Sequence, residues 1–473
     1  MAKNSPADNK GTLFELFGPL VDVYEKVQDR YVSEVDPKKL RDGAIEGMLD
    51  KLDPYSNYIS AEDRADFEKN LKGEFGGIGI QIGLNDRKML TVISPLEDTP
   101  AFRAGIMAGD WIKEIDGKST YEPRPMTLNE AVSKLTGKPG TKVNITIVHE
   151  TDKDAAGRKI ELTRAVIKLH SIKGWKRSVD GDGSKWDFMM DPKSKLGYIR
   201  VTSFVESTDA ELDAAVQQLM KDGMKGLILD LRFNPGGLLE SAVKIADRFL
   251  KKGTIVSMKG RRSPEKTYTA KEAGTYPDFE LVVLINEGSA SASEILSGAL
   301  KDHGRATIVG VRSFGKGSVQ NIMTLDDGGK ALLKLTTAYY YLPNGKCVHK
   351  LENATEWGVD PDKEVKVTPQ EIAGLFKARR DSEVIRPGHA PGQPAAQPGE
   401  EKKPEAKPEE KKPEGKSDAK PEDGAKSDDK DKDGKDAKDK KKDEPFVDRQ
   451  LEEARNILLG QVLSAERKAA ANK

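Results

Sequence analysis

The chain has one cysteine, Cys347, in 473 residues. A single thiol makes no internal disulfide and rules out cysteine-rich metal sites. The five histidines show no ligand spacing with acidic residues, so neither a metal nor another cofactor is expected. Net charge is zero, 78 basic against 78 acidic side chains, which leaves no electrostatic case for nucleic acid. Long apolar runs are missing too: the stretch 13–21 is interrupted by Glu15, Gly18 and Pro19, so it is neither a signal core nor a membrane span. Taken literally, that places the chain in the cytoplasm. Hydrophobic content is a low 36 % because residues 387–444 are almost entirely Pro, Lys, Glu, Asp, Gly and Ala. Such a segment cannot bury enough apolar surface to fold and is expected to be a disordered, solvated tether.

What is present points to acyl-transfer chemistry. The segment Asn286-Glu287-Gly288-Ser289-Ala290-Ser291-Ala292-Ser293-Glu294-Ile295 follows an unbroken apolar run at 281–285 that reads as a buried parallel strand, with a helix expected over 290–300. Ser291 therefore sits at a helix N-terminus, where unpaired N–H groups and the helix dipole favour negative charge on a substrate oxygen. A further strand is expected at 306–311, and a right-handed crossover makes the two strands parallel, with their carboxyl ends on one sheet edge. Lys316 lies just beyond the second strand. Adjacent strands are about 4.8 Å apart, so Ser291 and Lys316 can meet as nucleophile and base. The strand expected at 226–232 ends on the same edge. It turns through Asn234-Pro235-Gly236-Gly237 into a helix at 238–250, and these glycines let N–H groups approach a bound carbonyl, as half of an oxyanion hole requires.

A lysine acting as base must be neutral, and bringing its ordinary pKa of about 10.4 near neutrality costs roughly 4 kcal/mol, which only a dry pocket or a positive neighbour supplies. His303 is a poorer base, about 18 Å along one helix from Ser291. Glu294, one turn after Ser291, is equally readable as an ordering residue or as a first-turn acid favoured by the dipole. Ser289 reads as an N-cap, and Ser293 points away from the face of Ser291. The stretch Gly310 to Lys316 imitates a phosphate-binding loop, but Gly317 stands where Ser or Thr should hold magnesium, and no helix is expected after it. In Cys347-Val348-His349 nothing nearby offers an oxyanion hole, so Cys347 reads as structural.

Upstream, Phe75-Gly76-Gly77-Ile78-Gly79-Ile80 leads into a module of short strands and turns. A capping box, Thr127 with Glu130, starts a helix ending near Leu135, and residues 142–149 alternate as a strand. Glycine N–H groups beside an open strand edge can hold a peptide carboxylate while the peptide pairs as an extra strand. Near the two ends, residues 13–32 and 448–468 carry apolar stripes at helical spacing: Leu16, Leu20, Val23, Tyr24 and Val27 in one, Leu451, Ile457, Leu458, Val462 and Leu463 in the other. Packing on the chain's own core is the simplest expectation for both. Two such helices also suit a homo-oligomer.

Residues 22–367 resemble the carboxyl-terminal processing peptidases, or tail-specific proteases. The matching stretches are Asp53-Pro54-Tyr55-Ser56-Asn57-Tyr58, then 76–83, 94–117, 229–239, 286–300, 313–320 and 340–362. The resemblance implies an α/β and α+β multidomain chain: a ClpP/crotonase-like protease core with an inserted PDZ-like domain, a helical N-terminal segment and a disordered tail ending in a helix. Together with the composition and the helical spacing read above, it divides the chain into 1–72, a PDZ-like domain at 73–165, the core at 166–386, the charged linker at 387–445 and a terminal helix at 446–473. It makes Ser291 the nucleophile, Lys316 the general base and Gln320 the residue that steadies the lysine. A Gly236 or Gly237 N–H joins that of Ala292 in the oxyanion hole, and Gly77, Ile78, Gly79 and Ile80 bind the peptide. It further implies protein substrates recognised by their C-terminal tails, an adaptor protein as a further partner, and export to the periplasm. Tyr55 departs from the histidine common in the family; far from Ser291 in sequence, it is expected to have no bearing on the chemistry. The alternatives are a non-catalytic peptide-binding scaffold and a crotonase-like acyl-CoA enzyme.

Overall fold

The computed structural model describes residues 9–85, 87–149, 156–178, 185–262, 264–325, 330–385 and 446–471. The linker expected to be disordered falls almost entirely outside the described residues.

The chain begins with helix α1 (Asn9–Arg30) and helix α2 (Pro37–Leu49), the latter capped by Asp36, whose carboxylate accepts from the Lys38 N–H. Contrary to the expected packing on the core, the apolar face of α1 is open: Leu16, Leu20, Val23 and Tyr24 are all exposed. A groove of about 630 Å³ runs between the two helices, lined by Leu20, Val23, Tyr24, Val27, Leu40 and Met48 among others. A short strand β1 (Asn57–Ile59) then leads toward the glycine-rich module.

That module contains strands β2 (Glu74–Gly77), β3 (Ile80–Leu84), β4 (Leu90–Pro95), β5 (Trp111–Ile115), helix α3 (Leu128–Leu135), and strands β6 (Lys142–Val148), β7 (Arg158–Thr163) and β8 (Ala165–Lys168). Alternating apolar residues close a separate small core around Leu90, Val92, Ile112, Val143, Ile145 and Leu162. The antiparallel sheet runs β3-β4-β5-β6-β7, so β3 is an edge strand, and β2 pairs with β8. The expected capping box forms: the Thr127 N–H donates to Glu130 Oε2 at 2.8 Å.

The larger body is built on strands β9 (Ile172–Lys173), β10 (Leu196–Val201), β11 (Gly226–Asp230), β12 (Gly253–Lys259), β13 (Glu280–Ile285), β14 (Thr307–Gly310), β15 (Ser318–Thr324), β16 (Leu332–Tyr341) and β17 (Lys363–Glu364). Helices α4 (Thr208–Lys221), α5 (Leu239–Phe249), α6 (Ala292–Asp302), α7 (Pro369–Glu383) and α8 (Arg449–Ala471) accompany them. The main sheet runs β9-β10-β11-β13-β14-β17, with β10, β11, β13, β14 and β17 parallel. Because both faces are covered, its central strands β11 and β13 are apolar at consecutive positions, broken only by Asp230 and Glu280 at their ends. Leu227, Leu229, Val283 and Ile285 meet α4, α5 and α6, while Ile228, Val282, Leu284 and Val309 meet Leu451, Ala454, Leu458 and Val462 of α8. Residues 318–324 are strand β15 and not a helix, which removes the phosphate-loop resemblance. A second sheet, β1-β16-β12 with β15 also on β16, ties the N-terminal segment to the core.

Helix α8 thus serves as one wall of the core even though it arrives from far along the chain. Arg232, just past β11, is buried between Asp230 and Asp448, its Nη2 at 2.7 Å and 2.8 Å from their carboxylates. Leu458 is fully buried against Gly226, where an added β carbon would lie 2.8 Å from Leu458 Cδ1. Leu458→Ala is expected to cost about 2–5 kcal/mol in denaturant unfolding, and Leu463→Ala, on the exposed face, about 0.5 kcal/mol or less.

Candidate active site

Strand β13 ends at Ile285, and the turn after it is held by its own polar side chains. Asn286 Oδ1 accepts from the Phe233 N–H at 2.8 Å and the Gly288 N–H at 3.1 Å. Ser289 Oγ donates to the Leu231 carbonyl at 2.8 Å and accepts from the Asn286 N–H at 2.9 Å, so it braces the turn and is not the helix cap. Ser293 Oγ donates to the Asn234 carbonyl at 2.9 Å. Both of these serines are fully buried. Ser291 is the N-cap of α6 at φ 55° and ψ −113°, a strained backbone for a residue with a β carbon. Its side chain is half-buried and meets the hydroxyl of Tyr340.

Lys316 lies in the loop between β14 and β15, on the same sheet edge. What joins the two is Glu294, a side chain with no exposed surface. One oxygen of its carboxylate accepts from Ser313 Oγ and from the Gly315 N–H, each at 2.6 Å. The other accepts from the Ser291 N–H and the Lys316 N–H, each at 2.8 Å. Of the two readings left open for Glu294, the ordering one holds. Burial pushes its carboxyl above the usual range, against four donors that favour the ionised form.

The Lys316 side chain is half-buried, and burial, with a smaller push from Lys334, lowers its pKa; Glu294 and Asp53 act the other way. Its Nζ sits over the ring of Tyr55, 4.7 Å from the centroid. That corrects the expectation that Tyr55 has no bearing on the chemistry: 261 positions from Lys316 in sequence, it is a wall of the site. Among the described residues the amine makes no ion pair or hydrogen bond, so it is not in hydrogen-bond contact with Ser291 in this state. Gln320 does not bond it either; its Nε2 is spent on Ser318 Oγ at 2.9 Å and Thr336 Oγ1 at 3.1 Å. The Tyr340 hydroxyl donates to the Lys316 carbonyl.

The glycine turn abuts the head of α6: a β carbon on Gly236 would lie 2.9 Å from the Ala292 nitrogen. The Gly236 N–H is taken by Asn234 Oδ1 at 2.9 Å. Among the described residues neither the Gly237 N–H nor the Ala292 N–H has an intramolecular partner. Gly237 also holds φ 144° against the Phe204 carbonyl, where a side chain has no room.

Other candidates lie elsewhere. His303 caps the far end of α6, its Nε2 at 2.7 Å from the Thr254 carbonyl. Burial raises the pKa of the Cys347 thiol, which disfavours a thiolate. In the glycine-rich module, Ile78 is buried in the small core, so only its backbone can meet a ligand. The Gly79 carbonyl accepts from the Leu96 N–H at 2.9 Å and Thr99 Oγ1 at 3.0 Å. Gly77 ends β2 opposite Ala165, and Ile80 opens the edge strand β3 beside α3, where Leu128 and Val132 are exposed. Sequence reasoning missed Ser313, Tyr340 and Tyr55. All three lie in stretches that carried the family resemblance, 53–58, 313–320 and 340–362, but no role was read for them. Glu294→Ala strips the acceptor from four buried donors and is expected to lower unfolding free energy by about 3 kcal/mol or more, with Glu294→Gln intermediate, as read by denaturant titration.

Residues 195–365 match Peptidase family S41, residues 76–160 a PDZ domain, and residues 2–63 the N-terminal domain of the activating protease CtpB. The carboxy-terminal-processing protease of Bartonella bacilliformis is 39 % identical over 396 residues, spanning 81 % of this chain and 86 % of that protein. The carboxy-terminal processing protease CtpA of Bacillus subtilis is 36 % identical over 335 residues, 71 % of this chain and 67 % of that protein. Among solved structures, a photosystem II D1 C-terminal processing protease aligns at 28 % identity and a TM-score of 0.40, covering 77 % of this chain and 97 % of that one. A serine peptidase core with a PDZ domain set before it, the chain belongs to the carboxy-terminal processing proteases of peptidase family S41.

Proposed function

We propose that this protease cleaves protein substrates near their C-terminal tails with Ser291 as nucleophile and Lys316 as general base. Neutral Lys316 takes the Ser291 proton as Oγ attacks the peptide carbonyl, then returns it to the leaving amine. Water resolves the acyl-enzyme by the same path. The Gly237 and Ala292 N–H groups hold the oxyanion; Gly236 supports the turn and is excluded as donor by its bond to Asn234. In the resting state Ser291 faces Tyr340 and the amine rests on Tyr55, so catalysis requires the lysine side chain to swing while Glu294 keeps its backbone in place. Gln320, bonded directly to Ser318 Oγ and Thr336 Oγ1, steadies the strand next to the lysine. The carrying observation is the single carboxylate that holds the backbones of Ser291 and Lys316 together.

Substrate tails pair with edge strand β3, their carboxylates at the Gly77 to Ile80 turn and their side chains against Leu128 and Val132. An adaptor protein can present those tails. The functional units are residues 1–72, 73–165, 166–386 and 446–473, with 387–445 as a tether. The exposed α1–α2 groove is the self-association surface of a homo-oligomer. The enzyme works in the periplasm; among the described residues no helix is long and apolar enough to cross a membrane.

Ser291→Ala and Lys316→Ala are each expected to lower kcat on an unstructured protein by about a thousandfold or more, with KM little changed; full cleavage by either refutes its role. Because Lys316 must be neutral and its pKa is lowered, cleavage is expected to rise with pH along a limb below the ordinary lysine value. The paired change Leu20→Glu with Val23→Glu is expected to reduce the mass seen by light scattering to that of the single chain.

A further inference from the structure

The wall against Lys316 comes from outside the protease core. Asp53 holds a tight turn, accepting from the Tyr55 N–H at 2.7 Å, the Ser56 N–H at 2.8 Å and Ser56 Oγ at 2.9 Å. Ser56 is buried and accepts from the Thr336 N–H at 3.1 Å, and Asn57 pairs with Lys334 in the register of β1 on β16. The turn is therefore fastened to β16, the strand whose Tyr340 hydroxyl holds the Lys316 carbonyl. Fastened there, the turn sets the Tyr55 ring against the amine, 4.7 Å from the ring centroid.

A ring there acts in two opposed ways. Its face attracts an ammonium, which favours the charged form. Its bulk excludes water, which favours the neutral form. Burial is the first cause of the lowered pKa of this amine, and the Tyr55 ring is among the groups that bury it. The other groups facing it are Glu294 on α6, Asp53 on the same turn, and Lys334 and Tyr340 on β16; His349 lies behind the loop, its Nδ1 accepting from the Gly317 N–H at 3.3 Å.

We infer that Tyr55 is a positioning residue for the general base: its ring keeps the Lys316 amine dry in the resting state from which it swings to Ser291, so that the N-terminal segment completes the active site. This rests on the reading of Lys316 as base. It assigns a catalytic purpose to a residue that carries no reactive role of its own, and it makes the turn after α2 a physical link between the exposed N-terminal helices and the chemistry.

The test is the pH profile of kcat/KM for the full chain and for Tyr55→Phe, Tyr55→Ala and Tyr55→Leu, with circular dichroism to verify folding and Lys316→Ala as control. Tyr55→Phe keeps the ring and is expected to superimpose on the parent. Tyr55→Ala admits water, and its acid limb is expected at higher pH, lowering kcat at neutral pH about tenfold with KM within about twofold. Tyr55→Leu, which keeps apolar bulk without a π face, is expected to have its limb at or below the parent's. A folded Tyr55→Ala whose limb is unmoved or moves to lower pH overturns the inference while leaving the base assignment standing. Should Tyr55→Ala not fold, a Tyr55→Leu limb above the parent's overturns it. Full cleavage by Lys316→Ala would remove the base assignment and this inference together.

Discussion

One buried carboxylate organises this enzyme. Glu294 has no contact with solvent, and a carboxylate in that position is costly unless every lone pair is answered. Three backbone N–H groups and one hydroxyl answer it, drawn from two different loops. The loop after β13 carries Ser291, and the loop after β14 carries Lys316. The Phe314 N–H also joins the two loops by donating to the Ser289 carbonyl at 3.0 Å, and their relative position is set by that bond together with the cost of leaving Glu294 or its donors unmatched. At Ser291 and Lys316 the anchor takes only the backbone N–H, which leaves the serine hydroxyl and the lysine amine free to exchange partners.

The rest of the body supports that anchor in layers. The parallel strands bring the carboxyl ends of β11, β13 and β14 to one edge, where open sheets of this kind place their sites. Helix α8 seals the opposite face and binds Arg232 at the root of the glycine turn through Asp448, so the turn that presents Gly237 grows from a fully buried ion network. The peptide-binding module has its own core and meets the protease body through charges: Glu97 with Arg177 at 2.7 Å and with His170 at 3.6 Å. His170 is held above its usual pKa chiefly by Glu211 of α4. Among the described residues these charged pairs join the two units.

Much of the chemistry was legible because it depends on local patterns. Apolar runs with no alternation announce doubly covered parallel strands, and a strand followed by a helix puts the connecting residues on the carboxyl edge. The strands and helices expected to flank Ser291, Lys316 and the glycine turn end within two residues of the observed ones. What escaped depends on contacts between distant segments. Periodicity cannot say that Tyr55 will face Lys316, because the turn at Asp53 is aimed by pairing with β16 nearly 280 residues later. The role of Glu294 was evenly balanced in sequence, since a first-turn acid is favoured by the helix dipole whether or not it is buried. The two terminal stripes looked alike, yet α8 found the sheet and α1 did not; only the apolar face left open by β10, β11 and β13 distinguishes them.

The central claim is that acyl transfer passes through Ser291, held beside its base by Glu294. Rapid acid quench of the full chain during turnover, followed by proteolytic mapping of the acylated peptide by mass spectrometry, addresses it directly. The account predicts one acyl group, borne on Ser291. An acyl group on Ser289, Ser293 or Cys347 would contradict it, as would turnover with water incorporated and no acylated residue at any quench time.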